Sequence, residues 1–423
     1  MKQKLHNSEL YFSLSRINNN GEVRFIVQNT QSYDIPISIS LFEAYLSNKH
    51  RSYNTVYSKL YNILFIFAWA EKNNMSLDSI LLEGECLEPR QINDFAHWLK
   101  TISKKRDINK NLSPSHINII LSQTRSMFNF FADQYLQMDC YGSERAIKIR
   151  IYKDSIKDQF KNHKIKVKVK PKSGDLSEEE ITIIEKFFKP ELRIKREPNI
   201  SRAKALRDYL IWRLAIEFGL REGEILAMRL DDCPTRSNNT IKIVRIEERD
   251  TNYVDPRQNY APRPKTLSRE LGFILNNSPI PRLIMEYTTK FRKRKVIKNG
   301  KSSYQWIMDK PAFLILSHHL DKGDPLSISS LQDIAEVVRN KTGIDFHWHL
   351  TRHAFFNRAY GAIADLKNSD NGLYQDRLLD LVYWGGWESE QSLQLYINRA
   401  REDKAKKTLC FFQNNSEEWS SLQ

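Results

Sequence analysis

Cysteines are few in this chain, and long apolar runs are absent. The cysteines, Cys86, Cys140, Cys233 and Cys410, lie far apart and form no C-x-x-C pair. This spacing indicates reduced thiols in a cytosolic protein rather than a disulfide framework or a zinc site. No run reaches the ~18 apolar residues that a membrane span needs. The amino terminus, Met1-Lys2-Gln3-Lys4-Leu5-His6, lacks the apolar core of a signal peptide. We therefore expect a cytoplasmic protein without a membrane partner.

Acidic residues are in deficit. The 66 Lys and Arg residues outnumber 51 Asp and Glu, which gives a net charge of +15 and a pI near 9.4. This excess favours a polyanionic partner, nucleic acid first and an acidic membrane surface second. A merely soluble basic protein fits the charge equally well. His318-His319 with Asp321 and Asp324 has no zinc-ligand spacing, so we expect a polar loop there and no metal.

Glycine and proline are also scarce, at 14 each in 423 residues, and 40% of the residues are hydrophobic. This is a globular composition, and the length predicts two or three domains. Residues 1–38 are strand-like and predict a hairpin that turns at Asn19-Asn20-Gly21. Residues 39–145 show helical spacing of apolar residues and predict a compact helical domain. On the residues alone, a helical interaction domain is equally open.

A change of pattern follows this helical region. Residues 146–175 predict a basic linker, in which the lysines of 164–170 alternate. These lysines either protect an edge strand or follow a phosphate backbone. Leu176-Ser177-Glu178 begins a second domain, 176–413, which is mainly α with a small antiparallel sheet, and 414–423 form a polar tail. Within this domain, 291–301 is predicted to be an exposed basic loop.

Four short motifs concentrate phosphate chemistry in the second domain. His349-Leu350-Thr351-Arg352 places an imidazole and a guanidinium one helical turn apart, where the pair can grip one phosphate. Gly385-Gly386-Trp387 leads to Tyr396, nine residues after the Trp. Upstream, Gly219-Leu220-Arg221 supplies a second Arg, and Arg263-Pro264-Lys265-Thr266 supplies a Lys.

Read in chain order, this series resembles the active site of the tyrosine recombinases, also called phage-type integrases. The resemblance covers about residues 200–412 in its motifs and 39–140 only in pattern. It implies an α+β catalytic domain preceded by a helical core-binding domain that clamps DNA. It also implies that no cofactor, metal or ATP takes part.

The resemblance assigns roles to the cations. Arg221 and Arg352 would bracket the non-bridging phosphate oxygens, and Lys265 would give its proton to the departing 5′ hydroxyl. Glu224 occupies the family's supporting acidic position. Lys242 is a rival for the Lys role, and Arg263 and Arg269 compete for phosphate.

The resemblance also assigns the nucleophile and its neighbours. Tyr396 would attack the phosphorus and form a 3′-phosphotyrosyl ester. His349 would accept the proton or hydrogen-bond the phosphate, and His353 would orient. Trp387, where His is commoner in the family, would donate its indole N–H. Taken singly, Arg221 could be salt-bridged and Tyr396 could be a core residue.

The chain departs from the family pattern in length as well. From Arg221 to Lys265 it is longer than usual, which predicts an inserted loop at about 247–262. A second insertion is predicted around 364–376.

The expected partner is double-stranded DNA, so the protein would be nucleoid-associated when bound. The segment beyond Tyr396 would link a homotetramer on DNA, with packing within its own chain as the alternative, and element-encoded accessory proteins would join it. The candidate DNA-binding residues are Arg51, Lys59, Lys104, Lys105, Arg106, Lys166 and Lys168.

We predict a site-specific recombinase, the integrase or transposase of a mobile element. The alternatives are a type IB topoisomerase-like enzyme and a non-catalytic DNA-binding protein on an integrase scaffold.

Overall fold

The computed structural model divides the chain into two compact units, an amino-terminal unit, Met1–Val169, and a carboxyl-terminal unit, Lys170–Gln423. The structure describes residues 11–19, 22–50, 53–83, 85, 87–104, 107–138, 142–167, 175–235, 239–249, 255–257, 261–272, 278–298, 301–307, 312–319, 322–364, 366–394, 396–397, 400–402, 405–406 and 408–410.

The amino-terminal unit is a helical bundle with two small hairpins. Its elements are β1 (Phe12–Asn19), β2 (Glu22–Asn29), α1 (Ile37–Lys49), α2 (Tyr53–Lys72), α3 (Leu77–Leu82), α4 (Pro89–Thr101), β3 (Ser103–Lys104), β4 (Asp107–Asn111), α5 (Pro114–Met138) and α6 (Glu144–Asn162). Helix α2 is buried on all its faces from Ile63 to Ala70, and it therefore lies at the centre of the unit. Helix α4 begins at Pro89, where Glu88 and Gln91 form a capping box.

The predicted amino-terminal hairpin is confirmed. Strands β1 and β2 pair antiparallel from Phe12 opposite Asn29 to Asn19 opposite Glu22. Alternate residues of both strands, such as Leu14 and Phe25, are buried in the same core as the helices. The described part of the predicted amino-terminal segment, from residue 11 to 38, is therefore not separate, since the hairpin's apolar face belongs to the core of this unit.

The predicted linker, 146–175, is corrected over much of its length. Helix α6 begins after Ser143, whose hydroxyl accepts the backbone N–H of Ala146 at 3.0 Å, and runs to Asn162. Ile156 and Phe160 lie in the unit's core. Their four-residue spacing marks a helical face, but the high charge of the segment concealed it. Residues 168–174, which hold two of the four lysines that alternate over 164–170, lie outside the described part.

The carboxyl-terminal unit combines helices with two-stranded sheets. Its elements are α7 (Glu178–Phe188), α8 (Pro190–Arg196), α9 (Arg202–Phe218), α10 (Glu222–Ala227), β5 (Thr240–Ile243), β6 (Arg269–Gly272), α11 (Ile280–Lys290), β7 (Lys293–Lys298), β8 (Lys301–Trp306), α12 (Ile328–Thr342), α13 (Trp348–Ile363), α14 (Leu366–Ser369), α15 (Asn371–Gly385) and α16 (Gln391–Gln394). The predicted fold class, mainly α with a small antiparallel sheet, is confirmed.

Helix α9 is the buried axis of this unit. Leu210, Ile211 and Trp212 are inaccessible to solvent, and the helix ends at Gly219 with φ of 60°. A Cβ at Gly219 would lie 2.7 Å from the Phe355 ring of α13. Only glycine allows both this backbone conformation and the close approach, and the turn then delivers Arg221 to the start of α10.

The basic segment 291–301 is mostly not a loop. It contains β7 and the start of β8, which pair antiparallel from Lys293 opposite Trp306 to Lys298 opposite Lys301. The sequence carried the signal, because Asn299-Gly300 between two β-prone runs favours a tight hairpin turn. Around 364–376, where an insertion was predicted, α14 and the start of α15 lie. In the described part of the chain, no helix combines the length and apolarity that crossing a membrane requires.

Candidate active site

Helix α13 carries the His-x-x-Arg motif and orients it. Its first turn leaves His349 exposed, whereas Arg352 is fully buried. One turn further, His353 lies with its ring centroid 5.0 Å from that of His349. The α-helical period therefore directs both imidazoles to one side and the guanidinium inward.

Tyr396 lies against both imidazoles. Its ring centroid is 4.6 Å from that of His353 and 5.6 Å from that of His349. The rings of Trp387 and Phe356 contact it at 5.0 and 5.8 Å. The tyrosine is 7% exposed and follows α16 in a turn whose backbone N–H bonds to Leu393 at 2.9 Å. The structure thus brings the predicted nucleophile to the predicted His-x-x-Arg helix.

Arg352 sits in an aromatic and carbonyl cage. Its Nη1 donates to the Gly219 carbonyl and its Nη2 to the Gly385 carbonyl, both at 2.7 Å. The guanidinium lies 4.8 Å from the Trp387 ring and 5.3 Å from the Tyr396 ring. Burial and then the charge of Arg221 lower the pKa of Arg352 to about 9. Its Nε–H is buried and has no hydrogen-bond partner among the residues that the structure describes.

Arg221 also approaches the Gly385 carbonyl. It precedes α10, and its Nη1 lies 3.5 Å from the Gly385 oxygen and 3.6 Å from Oε1 of Glu224. Its side chain keeps 23% of its surface exposed. The two arginines therefore converge on one point, with Arg221 the more accessible to a ligand.

Glu224 holds the backbone of Arg221 and the side chain of Arg269 in place. Its carboxylate, which is fully buried, accepts the backbone N–H of Arg221 at 2.8 Å. Arg269 donates to its two oxygens at 3.1 and 3.2 Å, and the Thr266 hydroxyl donates a further short hydrogen bond. Burial would raise the pKa of Glu224, but Arg269 and then Arg352 outweigh it and lower the value to about 2. The carboxylate is therefore ionised and fully satisfied.

A glycine turn joins this network to Trp387. Gly386 has φ of 61°, and a Cβ there would lie 2.8 Å from both Arg269 and Thr266. Its carbonyl accepts the N–H of Leu267 at 3.0 Å, and Arg269 Nε donates to the Trp384 carbonyl at 2.8 Å. The turn that presents Trp387 is thus bonded to the segment that carries Lys265.

Lys265 is exposed in the segment leading into β6. Its rival Lys242 pairs with Glu270 at 3.2 Å on the outer face of β5 and β6. Arg269, predicted as a competitor for phosphate, is buried in the ion pair with Glu224. That expectation for Arg269 is wrong, because inward alternation on β6 turns its side chain into the protein.

The remaining candidates are spread over the chain. Lys59 is half-buried on α2, Lys166 is exposed beyond α6, and of Lys104 only the backbone, in β3, is described. Outside the described residues are Arg51, Lys105, Arg106, Lys168 and most of the segment beyond Tyr396. In the suspected polar loop, His318 Nε2 lies 2.7 Å from the Tyr287 hydroxyl.

Sequence reasoning missed two members of the site. Phe356 packs between Trp387, at 4.5 Å, and Tyr396, and its position four residues after Arg352 places it on the same helix face. Arg269 was noticed only as a phosphate competitor. The alternation of Arg269 and Leu271 on β6 was the signal for its burial.

Comparison with known proteins gives a sequence relative. The chain is 23% identical over 339 residues to Transposase A from transposon Tn554 of Staphylococcus aureus, a match covering 76% of this chain and 79% of that protein. The same protein of strain N315 matches equally. No protein-family model matches the chain.

Two crystal structures of the XerH site-specific recombinase also match. The post-cleavage complex with palindromic difH substrate is 17% identical, with 84% of this chain and 88% of that chain covered and a TM-score of 0.35. The pre-cleavage complex with difH is 15% identical, with 87% and 94% covered and a TM-score of 0.37. TM-scores of this size establish no shared fold by themselves. The sequence relationship, added to the motif series in this chain, confirms the predicted resemblance: the protein is similar to the tyrosine recombinases.

Proposed function

We propose that this protein is a tyrosine-type site-specific DNA recombinase that serves as the transposase or integrase of a mobile element. The observation that carries the proposal is the convergence of Tyr396, His349, His353, Trp387 and Arg352 on one point. A phenol, two imidazoles, an indole and a guanidinium at this spacing supply a nucleophile, proton carriers and charge stabilisation for phosphoryl transfer. The similarity to a transposase supports the same class of reaction.

The arginines would stabilise the pentavalent phosphorus. Arg221 is accessible enough to donate to a non-bridging oxygen. Arg352 offers its Nε–H, since its terminal nitrogens are bonded to Gly219 and Gly385. Arg221 is held beside Glu224 before the substrate arrives, so little reorganisation of this donor accompanies the reaction.

In the proposed cleavage step, the phosphoryl group passes from the 5′ oxygen of DNA to Tyr396. The Tyr396 oxygen attacks phosphorus as the bond from phosphorus to the 5′ oxygen breaks, which leaves a 3′-phosphotyrosyl ester. His349 takes the phenolic proton, with His353 holding the ring beside it, and Lys265 protonates the departing 5′ oxygen. The ester conserves the bond energy, so a 5′ hydroxyl reverses the steps without ATP or a cofactor.

The test is covalent trapping on a nicked suicide substrate taken from the ends of the protein's own element. The wild-type chain should form a denaturation-resistant adduct, and Tyr396→Phe should form none. Tyr383→Phe is the matched control: Tyr383 is 51% exposed, its hydroxyl bonds to the backbone of Glu270, and the variant should keep the adduct.

Two results would overturn this assignment. An adduct formed equally by Tyr396→Phe would move the nucleophile elsewhere, with Tyr374 next to be tried. No adduct from the wild-type chain, despite tight binding, would indicate a binding protein without catalysis. Strand exchange between two sites separates a recombinase from a type IB topoisomerase-like enzyme, which relaxes supercoiled DNA and joins no second site.

The proposed assembly on double-stranded DNA is a tetramer. The carboxyl-terminal unit has a cleft of about 850 Å³, in which apolar residues that include Ile181, Ile216 and Trp384 lie among charged residues such as Glu185 and Arg213. The chain beyond Tyr396 carries an apolar run at 409–412, and Leu409 is 57% exposed. We assign this run of one copy to the cleft of the next, because burying it would remove apolar surface from water.

Removal of residues 408–423 tests this assembly. The truncated protein should bind a single site but fail to hold two sites together, as measured by light scattering of the protein–DNA complexes. Ile181→Glu in the cleft should have the same effect. A tetramer retained by both variants would contradict the assignment.

A further inference from the structure

The hairpin of β7 and β8 is the most basic exposed element in the described part of the carboxyl-terminal unit. Its strands, KRKVIK and KSSYQW, contain lysine and arginine but no aspartate or glutamate. Every residue of β8 is exposed. The positive charges of this hairpin are not offset by any acidic residue within its strands, so the hairpin attracts a polyanion.

One face of the hairpin combines cations with exposed aromatic rings. Lys293 is opposite Trp306 and Lys295 is opposite Tyr304, and residues in register share a face. Trp306 is 42% exposed and Tyr304 63%. Ile297, two residues beyond Lys295 on the same face, is 70% exposed. Lys293 Nζ lies 4.2 Å from the centre of the Trp306 ring, so cation and ring present one surface.

The base of the hairpin is fixed to the active-site unit. Arg292 is buried and donates to the carbonyls of Ile307 and Phe313 at 3.3 and 2.8 Å. The chain after β8 bonds to the residues after α10, through Leu314 N–H to Met228 O at 2.9 Å. Helix α10 follows Arg221 and contains Glu224. The exposed face is therefore held by the same backbone that positions the catalytic groups.

We propose that this hairpin face binds unpaired bases of the DNA substrate, with Tyr304 and Trp306 stacking on the bases and Lys293 and Lys295 contacting the adjacent phosphates. Contact with the duplex backbone is made chiefly by cations and polar groups, so it does not account for the exposed rings. Base faces are hidden within a stacked duplex but open in an unpaired strand, where aromatic stacking contributes to affinity whatever the sequence. The inference rests on the proposed function, because strand exchange exposes unpaired bases at the site of cleavage.

Binding of labelled oligonucleotides by fluorescence anisotropy tests the proposal. The probes are a duplex, the same duplex with a central bubble of mismatches, and one of its single strands. All proteins carry Tyr396→Phe, so that no covalent step contributes. The parent should prefer the bubble to the duplex. Tyr304→Ala with Trp306→Ala should weaken bubble binding by about tenfold or more and change duplex binding little.

Gln305→Ala is the matched control, because Gln305 is exposed on the same strand but faces the other side. It should leave bubble and duplex binding as they are in the parent. Photocrosslinking from 5-bromodeoxyuridine in the bubble should map to Tyr304 or Trp306, which tests the contact without any substitution.

Three outcomes would overturn the proposal: equal losses on duplex and bubble, no loss on either, or crosslinks elsewhere in the chain. Equal losses of affinity for duplex and bubble would indicate that the hairpin contacts the DNA backbone. No loss of affinity would indicate that this face binds a protein partner instead. Failure of the proposed function looks different, because covalent trapping would then fail while the bubble preference and its loss in the hairpin variant remain measurable.

Discussion

The two units of this protein bury charge differently. In the described amino-terminal unit the core is apolar, and Glu43 is the charged side chain within it. The described part of the carboxyl-terminal unit buries many charged side chains: Arg193, Arg207, Asp208, Glu224, Asp232, Asp255, Arg269, Arg292 and Arg352. A buried charge needs a partner in correct geometry, whereas apolar packing tolerates adjustment.

This difference teaches what each unit is built to hold. The apolar core fixes a shape, and its side chains can be exchanged at similar volume. The buried ions fix directions, because each guanidinium donates to chosen oxygens. Arg269, Glu224 and Arg352 together join α10, β6, α13 and the Gly386 turn, which are the elements that present the proposed catalytic groups.

The largest effect on stability is expected from Arg269→Ala. It leaves the buried Glu224 carboxylate without its main partner and should cost about 3–5 kcal/mol in unfolding free energy. Covalent adduct formation should be lost as well, since Trp387 and Arg221 lose their support. Chemical denaturation measures the first effect and trapping measures the second.

Arg24→Ala is the matched change in the amino-terminal unit. Arg24 is bonded to Glu43 but is 37% exposed, and Glu43 keeps its bonds from Phe25 N–H and the Ser47 hydroxyl. Because Arg24 is partly exposed, water can occupy the space that it leaves beside the buried Glu43, and we expect a smaller loss of about 1–2 kcal/mol. Equal losses for Arg24→Ala and Arg269→Ala would remove the contrast between the units.

Gly386→Ala should cause the next largest loss of unfolding free energy. A left-handed conformation costs a non-glycine residue about 1–2 kcal/mol, and here the new Cβ also meets Arg269 and Thr266 at 2.8 Å. Gly343, with φ of 74° and nothing within 4 Å of its Cβ position, is the control. Gly343→Ala should lose only the backbone term and keep adduct formation, while Gly386→Ala should lose more stability and cleave poorly.

Acid should weaken the ion network of the carboxyl-terminal unit. Because Glu224 has a pKa of about 2 when folded and 4.5 as its reference value, its ionisation stabilises the fold above pH 4.5. That contribution disappears as the pH falls towards 2. Glu224→Gln should flatten the fall in unfolding free energy between these values.

The control for that pH series is Glu178→Gln, which alters an exposed carboxylate paired with Arg358. Its pH profile should follow the wild-type profile. A Glu224→Gln profile as steep as wild type would show that other carboxylates govern the acid response.

The smallest effect on stability is expected at Lys265, an exposed cation of the same unit. Lys265→Ala should change the unfolding free energy by less than about 0.5 kcal/mol. If Lys265 is the general acid, the rate of adduct formation should still fall by about 10²–10⁴-fold. Lys242→Ala, at the exposed pair with Glu270, should change neither quantity appreciably. A loss of rate in Lys242→Ala alone would reverse the choice between the two lysines.

Local elements followed the sequence closely where one signal acted alone. Ser177, at the predicted start of the second domain, caps α7, and strands β1 and β2 pair as the predicted hairpin. Prediction was wrong where charge hid another pattern. The high charge of 146–162 favours a linker although Ile156 and Phe160 share a helix face, and that of 291–301 favours a loop although the segment contains Asn-Gly.

By itself, the sequence determined the residue types of the site, their order, and the helix period that separates His349 from Arg352. Only the tertiary structure decided which groups meet and which cations are buried. Arg221 and Gly385 approach each other across 164 positions of the chain, and Glu224 and Arg269 across 45. No local pattern encodes such distances, because they follow from how α9, α13 and β6 pack around one core. That packing decides whether an arginine pairs with Glu224 or is available to bind phosphate.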